Sequence, residues 1–163
     1  MLSFFTRAPF SLEVFFMKCK NLIPEKEFEI LSSVGQQDLS VLNIQSIDSL
    51  KQWGNFEIAL RNELARARSA RKKIDSLKFL RLPDSAQAEI SHLAMAAYRS
   101  ISILEAEKIL DQGRWNFLEN LSIGHYFDFD YLLVYALKLK ILERWDKIQN
   151  ADKEYLLNAA ILN

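Results

Sequence analysis

Apolar residues in this chain recur every third or fourth position rather than every second one, a spacing that predicts helices and not strands. The longest such stretch runs from Ile47 to about Lys73. There Ile47, Leu50, Trp53, Phe56, Leu60, Leu64 and Ala67 fall on one helical face and charged residues fill the other. Ser11 is placed to cap a short helix reaching about Asn21. Pro24, followed closely by Glu25, Glu27 and Glu29, suits the first position of a second helix. Leu31 to Gln45 then reads as a polar loop. Pro83 ends a connector, and Asp84 with Gln87 forms a capping box opening a helix through Tyr98. Ser102 with Glu105 repeats that device, and the helix it opens sets Ile103, Ala106, Leu110, Phe117 and Leu121 on one stripe, with Gly124 as its stop. Asp128 can cap a last long helix. Polar residues are few between Phe129 and Trp145, so that helix is expected to be covered around most of its circumference, with a short tail helix from about Asp152.

Composition agrees with this pattern. Only four glycines and three prolines punctuate the chain, so the fold class is all-α: a single-domain helical bundle of about five to seven helices with short connections. The 163 residues suffice for one well-formed core, and two complete domains would leave each half marginal. Residues 1–45 are the candidate for a loosely packed subregion. Cys19 is the lone cysteine, so no intramolecular disulfide forms and the cytoplasm is the default compartment. The opening residues, interrupted by Arg7 and Pro9, do not read as a signal peptide. The longest apolar run, Tyr131 to Leu137, falls far short of the roughly 20 residues that span a bilayer. Membrane association is therefore expected only through partners.

Charge changes the picture more. Lys+Arg and Asp+Glu both total 21, so no global field selects nucleic acid or an anionic surface. Residues 46–100 nevertheless carry ten basic against six acidic side chains, and residues 101–163 carry seven against ten. The basic excess centres on Arg61, Arg66, Arg68, Arg71, Lys72 and Lys73, opposed locally by Glu63. Arg61, Arg68 and Lys72 share one helical face. Such a run serves as a solvated face with cations near a helix C-terminus, as a contact for an acidic protein, or as a track for a phosphate backbone. Stacking aromatics do not interleave with it, which disfavours single-stranded nucleic acid. A second candidate contact is Tyr126 with Phe127, since aromatics at a helix corner suit interface anchors.

Candidate chemistry is sparse. One cysteine and the distant His92 and His125 do not make a zinc site, and Asp128 with Asp130 is explained by capping at a helix start. Gly35, Gly54, Gly113 and Gly124 are isolated, so no phosphate loop is present. Cys19 as nucleophile, or His125 oriented by Asp128, lacks the strand-turn-helix context of a catalytic elbow. The chain is expected to be non-enzymatic, with no cofactor, no metal and no small-molecule substrate.

One set of motifs points further. The order Pro9-Phe-Ser-Leu-Glu13, Trp53, Glu57, Leu60-Arg-Asn-Glu-Leu-Ala-Arg66, Leu104-Glu-Ala-Glu107, Arg114-Trp115, Phe117-Leu118-Glu119, Gly124-His-Tyr-Phe-Asp128, Tyr135-Ala-Leu-Lys-Leu139 and Ile141-Leu-Glu-Arg-Trp145 resembles an uncharacterised bacterial family. That family is encoded beside V/A-type ATP synthase genes and is thought similar to the synthase C subunit, which joins the rotor shaft to the membrane ring. Its members tend to begin with a longer aromatic segment, whereas this chain enters almost at once on Leu2-Ser-Phe-Phe5. The resemblance implies a subunit or assembly factor docking between rotor and ring subunits, with Arg61, Arg66 and Arg68 as electrostatic contacts and Tyr126 and Phe127 as anchors. The rival reading is a nucleic-acid-binding helical regulator using the Arg61 to Lys73 stripe.

Overall fold

Ser11, Ser102 and Asp128 each open a helix by accepting a hydrogen bond from a first-turn N–H. The computed structural model describes residues 2–35, 47–82 and 87–161, with side chains through 151. Among the described residues it is all-helical: α1 (Leu12–Cys19), α2 (Glu25–Gly35), α3 (Asp48–Lys72), a 3-10 turn at Leu77–Phe79, α4 (Ala88–Tyr98), α5 (Ile103–Leu121) and α6 (Phe129–Ile161). The all-α class and the helix number agree with the apolar periodicity. Contacts cluster into two compact units, one built from the two ends of the chain and one from its middle.

In the unit made of the chain ends, α1 and α2 pack on α6. The Ser11 hydroxyl caps α1, accepting from the Val14 N–H at 3.2 Å, and the Pro24 carbonyl accepts the first α2 bond from Phe28 at 2.9 Å. Side chains of α6 finish the job. Glu143 accepts from the Leu12 N–H at 2.6 Å and Asp146 from the Ala8 N–H at 3.0 Å, while the Lys140 ammonium donates to the Val34 carbonyl near the end of α2 at 3.0 Å. The Glu143 carboxylate thus meets the start of α1 and a cation meets the end of α2, the polarity the peptide dipoles favour, while Asp146 ties down the segment that leads into α1. Leu12, Phe15, Cys19, Leu31 and Val34 are buried in this unit, and the Phe15 and Tyr135 rings lie 5.2 Å apart.

Two sequence readings change here. The stretch from Leu31 is not loop at once: α2 continues to Gly35, with Leu31 and Val34 fully buried. Ser32 does not break it because its hydroxyl returns to the helix's own Glu29 carbonyl at 2.9 Å; residues 36–45 of that expected loop lie outside the described residues. The separate tail helix is also absent, since α6 runs unbroken from Phe129 to Ile161. Neither glycine nor proline occurs in that span to stop it. Its expected coverage holds: Ala136, Leu137, Lys138 and Leu139 are consecutive and all buried. Asp128 opens the helix as anticipated, accepting from the Tyr131 N–H at 2.9 Å.

In the middle unit α3 packs on α4 and α5, and α4 packs on α5. The α3 stripe is buried at its centre, at Leu50, Trp53, Phe56 and Leu60, while Ile47, Leu64 and Ala67 are half-buried. Phe56 stacks on Phe117 of α5, centroids 4.3 Å apart. Gly113 allows α5 to approach α4 closely, because a methyl group there would sit 2.2 Å from a Leu93 methyl carbon. Ser102 caps α5, accepting from Glu105 at 3.1 Å, and Gly124 turns the chain after it with φ +88°. Only the Gln87 half of the capping box expected for α4 lies within the described residues. Gln87 is the residue before the first turn and makes no side-chain cap, while Asp84 lies outside the described residues. The α5 stripe is rotated from its expected position: Ile103 is exposed, and the buried side chains are Leu110, Asp111, Trp115 and Leu118. An aspartate enters that face because Arg114 neutralises it.

Candidate functional site: a basic groove along α3

The positions Glu57, Leu60, Arg61, Leu64, Ala65, Arg68, Ser69 and Lys72 form one continuous stripe on α3. They line a groove of about 500 Å³ with Ile74, Phe79 and Arg114. Its far wall is the segment that follows α3, and two devices hold that segment in place. At its start, Lys73 adopts the left-handed conformation, φ 55°, and the Ile74 N–H reaches back to the Ser69 carbonyl at 3.1 Å, reversing the chain against its own helix. At its end stands Asn62, wholly buried on α3. Its amide donates to the Arg81 carbonyl at 2.8 Å while its oxygen accepts the Arg81 N–H at 2.9 Å. One side chain thereby satisfies both backbone groups of Arg81, as a neighbouring strand would. The wall between carries exposed apolar side chains, Ile74, Leu77 and Phe79, and Leu82 just beyond it is exposed as well.

At the α5 end of the groove Arg114 grips Glu57 with two nitrogens, at 2.7 and 3.3 Å, and Asp111 with a third at 2.8 Å. Burial opposes the guanidinium charge, but the hydrogen bond and charge of Glu57, then those of Asp111, hold its pKa above the ordinary arginine range. Arg114 is therefore a fixed cation that joins α3 to α5. Arg61, Arg68 and Lys72 differ. They are exposed, and among the described residues no ion pair engages them. The lining thus presents four cations and one carboxylate above an apolar floor.

The structure separates the sequence candidates. Arg61 and Arg68 share the groove with Lys72, as their spacing predicts, but Arg66 lies off it and pairs with Glu63 at 2.6 Å. Tyr126 and Phe127 belong to the other unit, where both are exposed, Phe127 completely. They sit between Gly124 and the α6 cap. There His125 Nδ1 lies 2.6 Å from Asp128, whose hydrogen bond raises the histidine pKa. The Asp128 carboxyl is lowered, first by the Tyr131 N–H and then by His125. This pair orders a helix start. Cys19 is buried and burial pushes its thiol pKa up, the reverse of what a nucleophile needs. His92 is exposed on α4, and no three metal-ligating side chains converge among the described residues. Reasoning from sequence did not find Asn62, Ile74 or Phe79. The available signal was Asn62 in phase with Ala59 and Ser69, a second buried row of small and polar residues that an apolar scan does not weigh.

Fold and groove together define an all-helical protein with a preformed, cation-lined apolar cleft. A family model described as "Protein of unknown function (DUF2764)" matches residues 94–159, which takes in the end of α4, all of α5 and most of α6. The chain is similar to that family over this part. No curated protein and no solved structure matches the chain. No helix among the described residues is long and apolar enough to cross a membrane.

Proposed function

We propose that this chain is a non-enzymatic docking subunit or assembly factor of a bacterial V/A-type ATPase. It works at the cytoplasmic face and is held to the membrane through its partners. The observation that carries the docking role is the groove itself. Three cations that no ion pair engages among the described residues stand beside exposed apolar side chains, on a wall that Asn62 pins in place. Such a surface pays little ordering cost on binding and favours a partner that is both acidic and apolar. The choice of ATPase rests on the motif order from Pro9 to Trp145 and its resemblance to the family encoded with those operons. In that setting the task is mechanical. Close-packed helices deform little, so a helical body can transmit torque or hold two subunits in register during assembly.

The experiment is an affinity capture from host membranes at moderate salt, with co-purifying proteins identified by mass spectrometry. ATPase rotor and ring subunits are expected with the natural chain and lost from the Arg61→Glu/Arg68→Glu variant. Arg66→Glu, off the groove, is expected to retain most of them. Absence of ATPase subunits, with nucleic acid retained instead, would transfer the groove to the rival reading.

A further inference from the structure

The groove has a length and a spacing, and these narrow its occupant. Arg61, Arg68 and Lys72 follow one another along α3 at intervals of seven and four residues, about 10 Å and about 6 Å of helical rise. Their charges are distributed along roughly three turns and not gathered at a point. A single small anion meets only part of such a row. Opposite the row, Ile74 and Phe79 are each about half exposed, at 47% and 50%. A volume of about 500 Å³ between row and wall has room for apolar side chains as well as carboxylates. Among the described residues Phe79 is the only aromatic in the lining, too few for a track of stacked bases.

We propose that the groove takes an acidic amphipathic helix from a partner protein. Its carboxylates recur at intervals of four and seven residues and meet Lys72, Arg68 and Arg61 in turn, and an apolar side chain between them seats against Leu64, Ile74 and Phe79. This rests on reading the groove as a protein-docking face and adds the chemistry and register of what docks. The intervals match those of α3 because two helices packed with closely aligned axes keep the same rise per residue, and heptad-like spacing keeps both rows facing. The order is reversed because antiparallel helices place each positive end by the other's negative end. Recognition of this kind is a helix laid in a groove, read through side chains on one face. Asn62 acts as a positioning residue, since it fixes the wall that carries Phe79.

Two synthetic helical peptides of identical composition test this by fluorescence anisotropy against the full chain. The first carries three glutamates at i, i+4 and i+11 around one leucine; the second carries them at i, i+5 and i+9, off a single face. The first is expected to bind about tenfold more tightly at low salt, the worth of three exposed ion pairs, and to lose that advantage as salt rises. The advantage should vanish in Arg61→Ala/Arg68→Ala, and Phe79→Ala should weaken the first peptide several-fold while circular dichroism stays unchanged. Equal affinity for the two peptides, or an advantage that survives the double substitution, overturns the proposal. So does tighter binding of an arbitrary DNA duplex than of the first peptide. Peptides that fail to discriminate, beside successful capture of ATPase subunits, would remove the helix and leave the docking role. Discrimination without such capture would remove the ATPase and leave the helix-binding groove.

Discussion

Replacing Asn62 with alanine probes the contact that pins the far end of the groove wall to α3. The substitution deletes the two hydrogen bonds to Arg81, at 2.8 and 2.9 Å, from a side chain with no exposed surface. Each such bond is worth about 0.5–1.5 kcal/mol net, which sets the loss at about 1–3 kcal/mol. Two corrections oppose each other. Arg81 is exposed, so water can reach its freed N–H and carbonyl and limit the penalty. The void left by the amide adds to it, though by less than a deleted leucine would. The net expectation is about 2 kcal/mol. Urea unfolding should show it as a lower midpoint with an unchanged slope, because the surface exposed on unfolding hardly differs. A second reading is local: brief trypsin treatment should cut the variant faster after Lys78 and Arg81, where the wall is no longer tied to α3. Asn62→Asp sharpens the test. A carboxylate accepts from the Arg81 N–H but opposes its carbonyl, whereas the protonated acid can donate to it. Burial raises that carboxyl's pKa, so the variant should be closest to the natural chain in acid and lose stability as pH rises. An Asn62→Ala chain within about 0.5 kcal/mol of the natural one, with the same cleavage rate, would refute the role assigned to this clamp.

Two further outcomes follow from local geometry. Lys73→Gly should raise the melting temperature, gaining up to about 1 kcal/mol. The left-handed conformation at φ 55° is strained for lysine and free for glycine, and glycine's greater freedom in the unfolded chain offsets part of the relief; a lower melting temperature would contradict the cap assignment. At the start of α6, the raised pKa of His125 means its contribution is present below its ordinary value near 6.5 and is lost as pH rises through the folded value. The lowered Asp128 contributes above the ordinary carboxylate range and loses that as pH falls. Protection of the first-turn amides of α6, taken relative to their intrinsic exchange rate at each pH, should therefore be greatest in the window between them, and Asp128→Asn should bring the His125 titration, followed by NMR, down toward 6.5; an unmoved titration would deny the pairing.

The helix starts and stops set by neighbouring residues were legible in the sequence. Ser11, Ser102 and Asp128 cap where the spacing places them, Gly124 turns the chain, and the α3 stripe is buried through Leu60. All of these depend on a few consecutive residues, and helical periodicity alone brings Arg61, Arg68 and Lys72 to one face. Tertiary contact decided the rest. Asn62 meets Arg81 across 19 residues and Arg114 meets Glu57 across 57, distances over which no local rule assigns a partner. The rotation of α5 follows from burying Asp111 beside Arg114, and the groove exists because the chain folds back over α3 after Lys73. Local sequence determined the helices and placed the cations on a shared face. Only the return of the following segment along α3 supplied a second wall, and with it a cleft where there would otherwise have been an exposed charged surface.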